Sequence, residues 1–136
     1  MRAYQSGVSK LSGSNYGEVR KRALGVYKKF LKKTRRRPYV RSAYFEKEKV
    51  FLEYFWPHVF QKNPRERFNR LKYFEAALDL IENSKEQPTM KVNQNNKQEI
   101  LYRFAGITRE KEIFYVQIKE NKKIGRKYFM SCFSPE

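Results

Sequence analysis

Apolar and polar positions along this chain follow two different periods, and the change falls near residue 88. From about Tyr16 to Lys33 the positions Val19, Ala23, Val26, Tyr27, Phe30 and Leu31 recur every three or four residues, the spacing of an amphipathic helix. The opposite face holds Arg20, Lys21, Arg22, Lys28, Lys29, Lys32 and Lys33. Pro38 in "KKTRRRPYVRS" ends that helix, because the residue before a proline is pushed out of the α region. A second helix is predicted from about Glu46 to Trp56, with Phe51, Leu52, Phe55 and Trp56 as its apolar stripe and Pro57 as its stop or kink. Asn63-Pro64-Arg65-Glu66 is a start signal: Asn caps, proline suits the first helical position, and Glu66 stands where a capping-box acid belongs. It opens a third helix, predicted over Pro64 to Glu82, with Phe68, Leu71, Phe74, Leu78 and Ile81 on one face.

After Pro88 the period becomes two. "TMKVNQ", "QEILYRFAG", "EIFYVQIKE" and "RKYFMSCFS" read as four short strands joined by turn-like segments. Sheet faces this apolar need cover, and the preceding helices supply it. The expected fold class is α+β, with N-terminal helices packed on a four-stranded antiparallel meander. Residues 1–15 are rich in Ser and Gly and read as a flexible start.

Charge sharpens this picture. The 136 residues carry a net charge of +17. Residues 1–44 hold 13 Lys and Arg against one acid, Glu18, while the remainder is closer to balance. That asymmetry predicts a basic arm over residues 1–45 ahead of a domain over 46–136. The partner it implies is a polyphosphate, RNA or DNA, since each neutralised phosphate releases counterions. Arg35, Arg36, Arg37 and Arg41 in "RRRPYVR", with Arg65, Arg67, Arg70 and Lys72 on the third helix, are the candidate nucleic-acid contacts. Arg67 and Arg70 share a helix face by their spacing. With 11 Phe and 10 Tyr there is enough apolar surface to build a core. No apolar run approaches the ~20 residues needed to span a bilayer, and the N-terminus lacks the apolar core of a signal peptide. A single cysteine, Cys132, fits a reducing, cytoplasmic setting.

No Gly-rich phosphate loop, dinucleotide fingerprint or paired-Cys metal motif is present, and neither metal nor cofactor is expected. Chemistry then falls to His, Arg, Lys, Tyr and Ser. That set suits attack of an RNA 2′-hydroxyl on the adjacent phosphate: the nucleophile is on the substrate, and the protein positions the phosphate, neutralises charge and moves protons. His58, the one histidine, has a reference pKa near neutrality and lies beside Pro57. Its plainer alternative is a structural histidine packed on Trp56. Arg103 interrupts an apolar strand, and Lys119 and Ser131 sit in the next two strands, where a meander could align them on one face.

The stretch "FWPHVFQKNPRERFNRLKYFEAALDLIENS", followed by "ILYRFAGI", "IFYVQIKE" and "KYFMSCFS", resembles the barnase/EndoU/colicin/RelE superfamily of ribonucleases, nearest to its small phage- and mobile-element members. The resemblance covers about residues 50–134. It implies a metal-independent endoribonuclease of toxin or phage-defence type, blocked by an antitoxin or immunity protein. Carried over by position, it makes His58 the acid–base group, Arg103 and Lys119 phosphate-binding or charge-stabilising, and Ser131 a substrate-contacting hydroxyl. Residues 1–45 have no counterpart in it, and Cys132 stands where a small apolar residue is usual. Two other readings stay open: a non-catalytic RNA- or DNA-binding protein using the basic helix and the Arg-rich third helix, and an interaction protein whose charge steers an acidic partner.

Overall fold

Asn15 opens the first helix. Its side-chain oxygen accepts the Glu18 amide at 3.0 Å, and the Glu18 carboxylate accepts from the Asn15 side chain at 3.1 Å. The computed structural model describes residues 2–34 and 36–135. In chain order they form β1 (Ala3–Gln5), α1 (Tyr16–Thr34), β2 (Tyr39–Ser42), β3 (Glu48–Phe51), α2 (Phe55–Phe60), α3 (Pro64–Lys72), α4 (Phe74–Asn83), β4 (Thr89–Val92), β5 (Glu99–Ile107), β6 (Ile113–Asn121) and β7 (Arg126–Phe133).

The four strands after Pro88 form, but the sheet is not a four-stranded antiparallel meander behind N-terminal helices. It is a mixed sheet of seven strands in the order β1-β5-β6-β7-β3-β2, with β4 also pairing β5. β1 runs parallel to the last three residues of β5, and β3 runs parallel to the start of β7. The added strands escaped the periodicity for separate reasons. β1 has three residues, and its partner Ala105 lies about a hundred positions away, so no local pattern marks it. Tyr4 and Ser6 both donate to the Asp79 carboxylate, at 3.0 and 2.7 Å, which fastens the N-terminal segment to α4.

β3 lies inside the stretch expected to be a helix from Glu46 to Trp56. Val50 is its core contact and pairs with Val40 of β2. The helix begins later, at Phe55, so Pro57 falls in its first turn rather than at its end. A proline there loses nothing, because first-turn amides have no intrahelical acceptor. The expected boundary at residue 45 falls inside the β2–β3 hairpin.

Asn63 caps α3 as its sequence indicates, accepting the Glu66 amide at 2.9 Å. The single helix expected to Glu82 is two, broken at Tyr73. The break separates two environments. α3 is basic and buries only Leu71, whereas α4 buries Phe74, Ala76, Ala77, Leu78, Leu80 and Ile81 against the sheet. Tyr73 turns inward there, its ring stacked 5.7 Å from Phe114.

Candidate active site

The inner sheet face is set by Val116, Ile118, Phe129 and Cys132, none more than 1% exposed. Their neighbours along each strand therefore point to the outer face. Across it, Arg103 of β5 stands in register with Gln117 of β6, and Gln117 with Ser131 of β7. Ala105, Tyr115 and Phe133 form the next row. Lys119 lies two residues from Gln117 on the same face and pairs with Tyr128.

A bulge between Gln117 and Ile118 makes this arrangement possible. Met130 is the unpaired extra residue. In a regular strand Phe129, Ser131 and Phe133 would share a face. The bulge instead sends Phe129 inward, where its ring stacks on Phe55 at 4.8 Å and an interplanar angle of 6°. Ser131 and Phe133 stay on the side of Gln117 and Tyr115.

On β7, β3 reaches only Lys127 and Tyr128 among the described residues, so the end of β7 has a free edge on that side. α2 and α3 close it. Cys132 Sγ donates to the Arg70 carbonyl at 3.1 Å, and the Arg70 guanidinium bends round to donate to the Ser131 hydroxyl. Arg70 and Arg103 each lie 5.3 Å from the Phe133 ring centroid, and Arg103 lies 5.7 Å from that of Tyr115. Two guanidinium groups are thus held by one aromatic ring at the mouth of the free edge.

His58, on α2, is half-buried. Burial first, then the charges of Lys62, Arg70 and Lys119, hold its pKa below the ordinary histidine value. The shift favours the neutral imidazole, the form that accepts a proton. The Trp56 ring packs among Tyr27, Phe55, Phe60 and Phe74.

The expected residues are brought together unevenly. Arg103 and Lys119 share the outer face, and Lys119 reaches Glu99 at 3.7 Å. Ser131 is on the same face but has no exposed surface, and its hydroxyl is occupied by Arg70. It holds Arg70 in place and does not present itself to a ligand. Arg67 is spent locally, donating to the Lys62 and Phe60 carbonyls at 2.7 and 3.0 Å. Lys72 lies over Phe68 at 4.3 Å. Arg65 and Arg36 are exposed, while Arg35 lies outside the described residues. Arg37 donates to Glu53 at 2.7 Å and stacks on Phe51, and Arg41 bonds the Lys47 carbonyl at 3.1 Å. Gln117 and Tyr115 were missed as site residues. The alternation of "IFYVQIKE" puts them on the face of Lys119, a signal available in the sequence.

Among the described residues no group of three His, Cys, Asp or Glu side chains is arranged to hold a metal ion. No helix among them is long and apolar enough to cross a membrane. Comparison with protein-family models, curated proteins and solved structures gives no match.

Proposed function

We propose that this protein is a metal-independent endoribonuclease of toxin or phage-defence type, acting in the cytoplasm. The observation that carries it is His58, half-buried and held toward its neutral form by burial and by the charges of Lys62, Arg70 and Lys119, with Arg103 on the sheet face that also carries Lys119. Neutral His58 accepts the proton of an RNA 2′-hydroxyl, whose oxygen bonds the adjacent phosphorus. The bond from phosphorus to the 5′-oxygen breaks, and that oxygen takes a proton from water; the hydroxide formed recovers the proton from His58. The products are a 2′,3′-cyclic phosphate and a 5′-hydroxyl. Arg103 and Lys119 neutralise charge added at phosphorus, and Arg70, held by Ser131, adds to the burial and the Lys62 charge that favour neutral His58. The expected partner besides RNA is an antitoxin or immunity protein that covers the same cations.

Incubation with mixed RNA in EDTA tests the reading. Cleavage by the wild type that is lost in His58→Ala supports it. Intact RNA that still shifts on a native gel favours the second reading, a non-catalytic RNA- or DNA-binding protein. That alternative draws on the outer-face pairs of cation and aromatic ring, which bind without turnover.

A further inference from the structure

Beyond Lys119 the outer face carries a second constellation that the His58 cluster does not use. Strand register places Tyr39 beside Phe51 and Phe51 beside Tyr128. Their ring centroids are 6.2 and 6.1 Å apart, and Tyr54 continues the run 4.6 Å from Tyr128. Cations flank these rings. Lys49 and Arg41 lie 4.7 and 5.4 Å from the Tyr39 centroid, and Arg37 and Arg126 lie 4.3 and 5.9 Å from that of Phe51.

Tyr128, 4% exposed, is the buried member that ties the run to the sheet, and several features separate the other three rings from ordinary core. Val40 and Val50, on the other side of the same strands, do the packing and are at most 3% exposed. Tyr54 is 43% exposed. Arg41, Lys49 and Arg126 are exposed, and among the described residues none is paired to a carboxylate. An acidic protein would answer the cations but leave the ring faces idle. Unpaired nucleotides answer both, offering a π-face to Tyr39, Phe51 and Tyr54 and a phosphate to Arg41, Lys49 and Arg126, whereas a duplex keeps its base faces stacked inside. The run is continuous with the candidate active site, because Tyr128 pairs with Lys119.

We propose that Tyr39, Phe51 and Tyr54, backed by the buried Tyr128, form a stacking platform for the unpaired nucleotides that flank the cleaved phosphate. It rests on the proposed reading for the ligand being RNA. The probe is a fluorescein-labelled 2′-O-methyl oligouridine 12-mer followed by anisotropy; it has no 2′-hydroxyl nucleophile, so binding is read without cleavage. Tyr54→Ala weakens binding by about 10-fold with the salt slope unchanged, and Tyr54→Phe, which keeps the ring, restores it. Arg126→Gln lowers the slope of log K against log salt by about 0.7. Binding of a 2′-O-methyl duplex of equal length does not respond to Tyr54→Ala. The proposal is overturned if Tyr54→Ala, melting like the wild type, binds the single strand within twofold of it. It is equally overturned if the variant weakens duplex and single strand alike. A Tyr54 effect without any RNA cleavage would sink the nuclease reading and keep the platform; cleavage without a Tyr54 effect would do the reverse.

Discussion

Removing the Ser131 hydroxyl tests whether that residue serves the fold or the substrate. Ser131 is fully buried and accepts a hydrogen bond from the Arg70 guanidinium. Ser131→Ala deletes one oxygen and forces no repacking, so the loss is that of the bond. A bond to a charged group contributes about 1.5–3 kcal/mol. Arg70 is half-exposed and can turn toward water once released, which places the cost near the lower end, about 1.5 kcal/mol. If Arg70 also leaves the Phe133 ring, that contact adds about 0.5 kcal/mol. With a urea m-value of about 2 kcal/mol/M, the midpoint falls by about 1 M. A double-mutant cycle with Arg70→Met isolates the pair, with an expected coupling of about 1 kcal/mol. The reasoning is refuted if Ser131→Ala unfolds at the wild-type midpoint and the coupling is below about 0.3 kcal/mol. If that variant were as stable as wild type yet inactive on RNA, while Arg70→Met stayed active, Ser131 would have to touch the substrate directly.

Three further outcomes follow from local geometry. A Cβ on Gly106 would stand 2.5 Å from one Phe114 ring carbon, 2.7 Å from another and 2.9 Å from Leu80, and both side chains are buried, so Gly106→Ala costs about 2–3 kcal/mol and lowers Tm by roughly 7–10 °C in a calorimetric scan; a shift under about 2 °C would show that the core yields there. Lys47, at the β2–β3 turn, has φ of 66°, and Lys47→Gly raises stability by about 0.5 kcal/mol in urea unfolding because the left-handed strain is relieved; a loss would mean that the turn is held by side-chain contacts. His58 binds its proton at lower pH in the folded chain than in the unfolded one, so between about pH 6.5 and its lowered folded value the unfolded state holds more protons. Stability therefore falls as pH drops through that window and is unaffected by His58 above it. His58→Asn flattens that segment of the urea-midpoint profile relative to wild type, and parallel profiles would contradict it.

Local signals in the sequence were strong where one residue and its near neighbours decide the structure. Asn63 and Pro64 start α3, and the stripe through Val19 and Ala23 gives α1 its buried face. The signal failed where partners are distant or where one pattern fits two structures. "EKEKVFLEY" supports a helical stripe as well as a strand followed by a turn, and only the pairing of Val50 with Val40 and of Phe51 with Tyr128 settles it. The break at Tyr73 was hidden because Phe68, Leu71, Phe74 and Leu78 keep helical spacing across it. For the site, alternation correctly placed Arg103 and Lys119 on one face. The role of Ser131 was not legible, because it depends on the bulge at Met130 and on Arg70 reaching round a strand edge left open by β3.

The central claim is that His58 and the surrounding cations cleave RNA using the substrate's own hydroxyl. The most direct measurement is end-group analysis of a defined RNA incubated with the protein in EDTA, beside the same RNA carrying one 2′-deoxynucleotide at the mapped cleavage site. The account predicts a 2′,3′-cyclic phosphate on the upstream fragment, no cutting at the substituted position and no products from His58→Ala. Cutting that persists at the 2′-deoxy position, or in the His58→Ala variant, would contradict it.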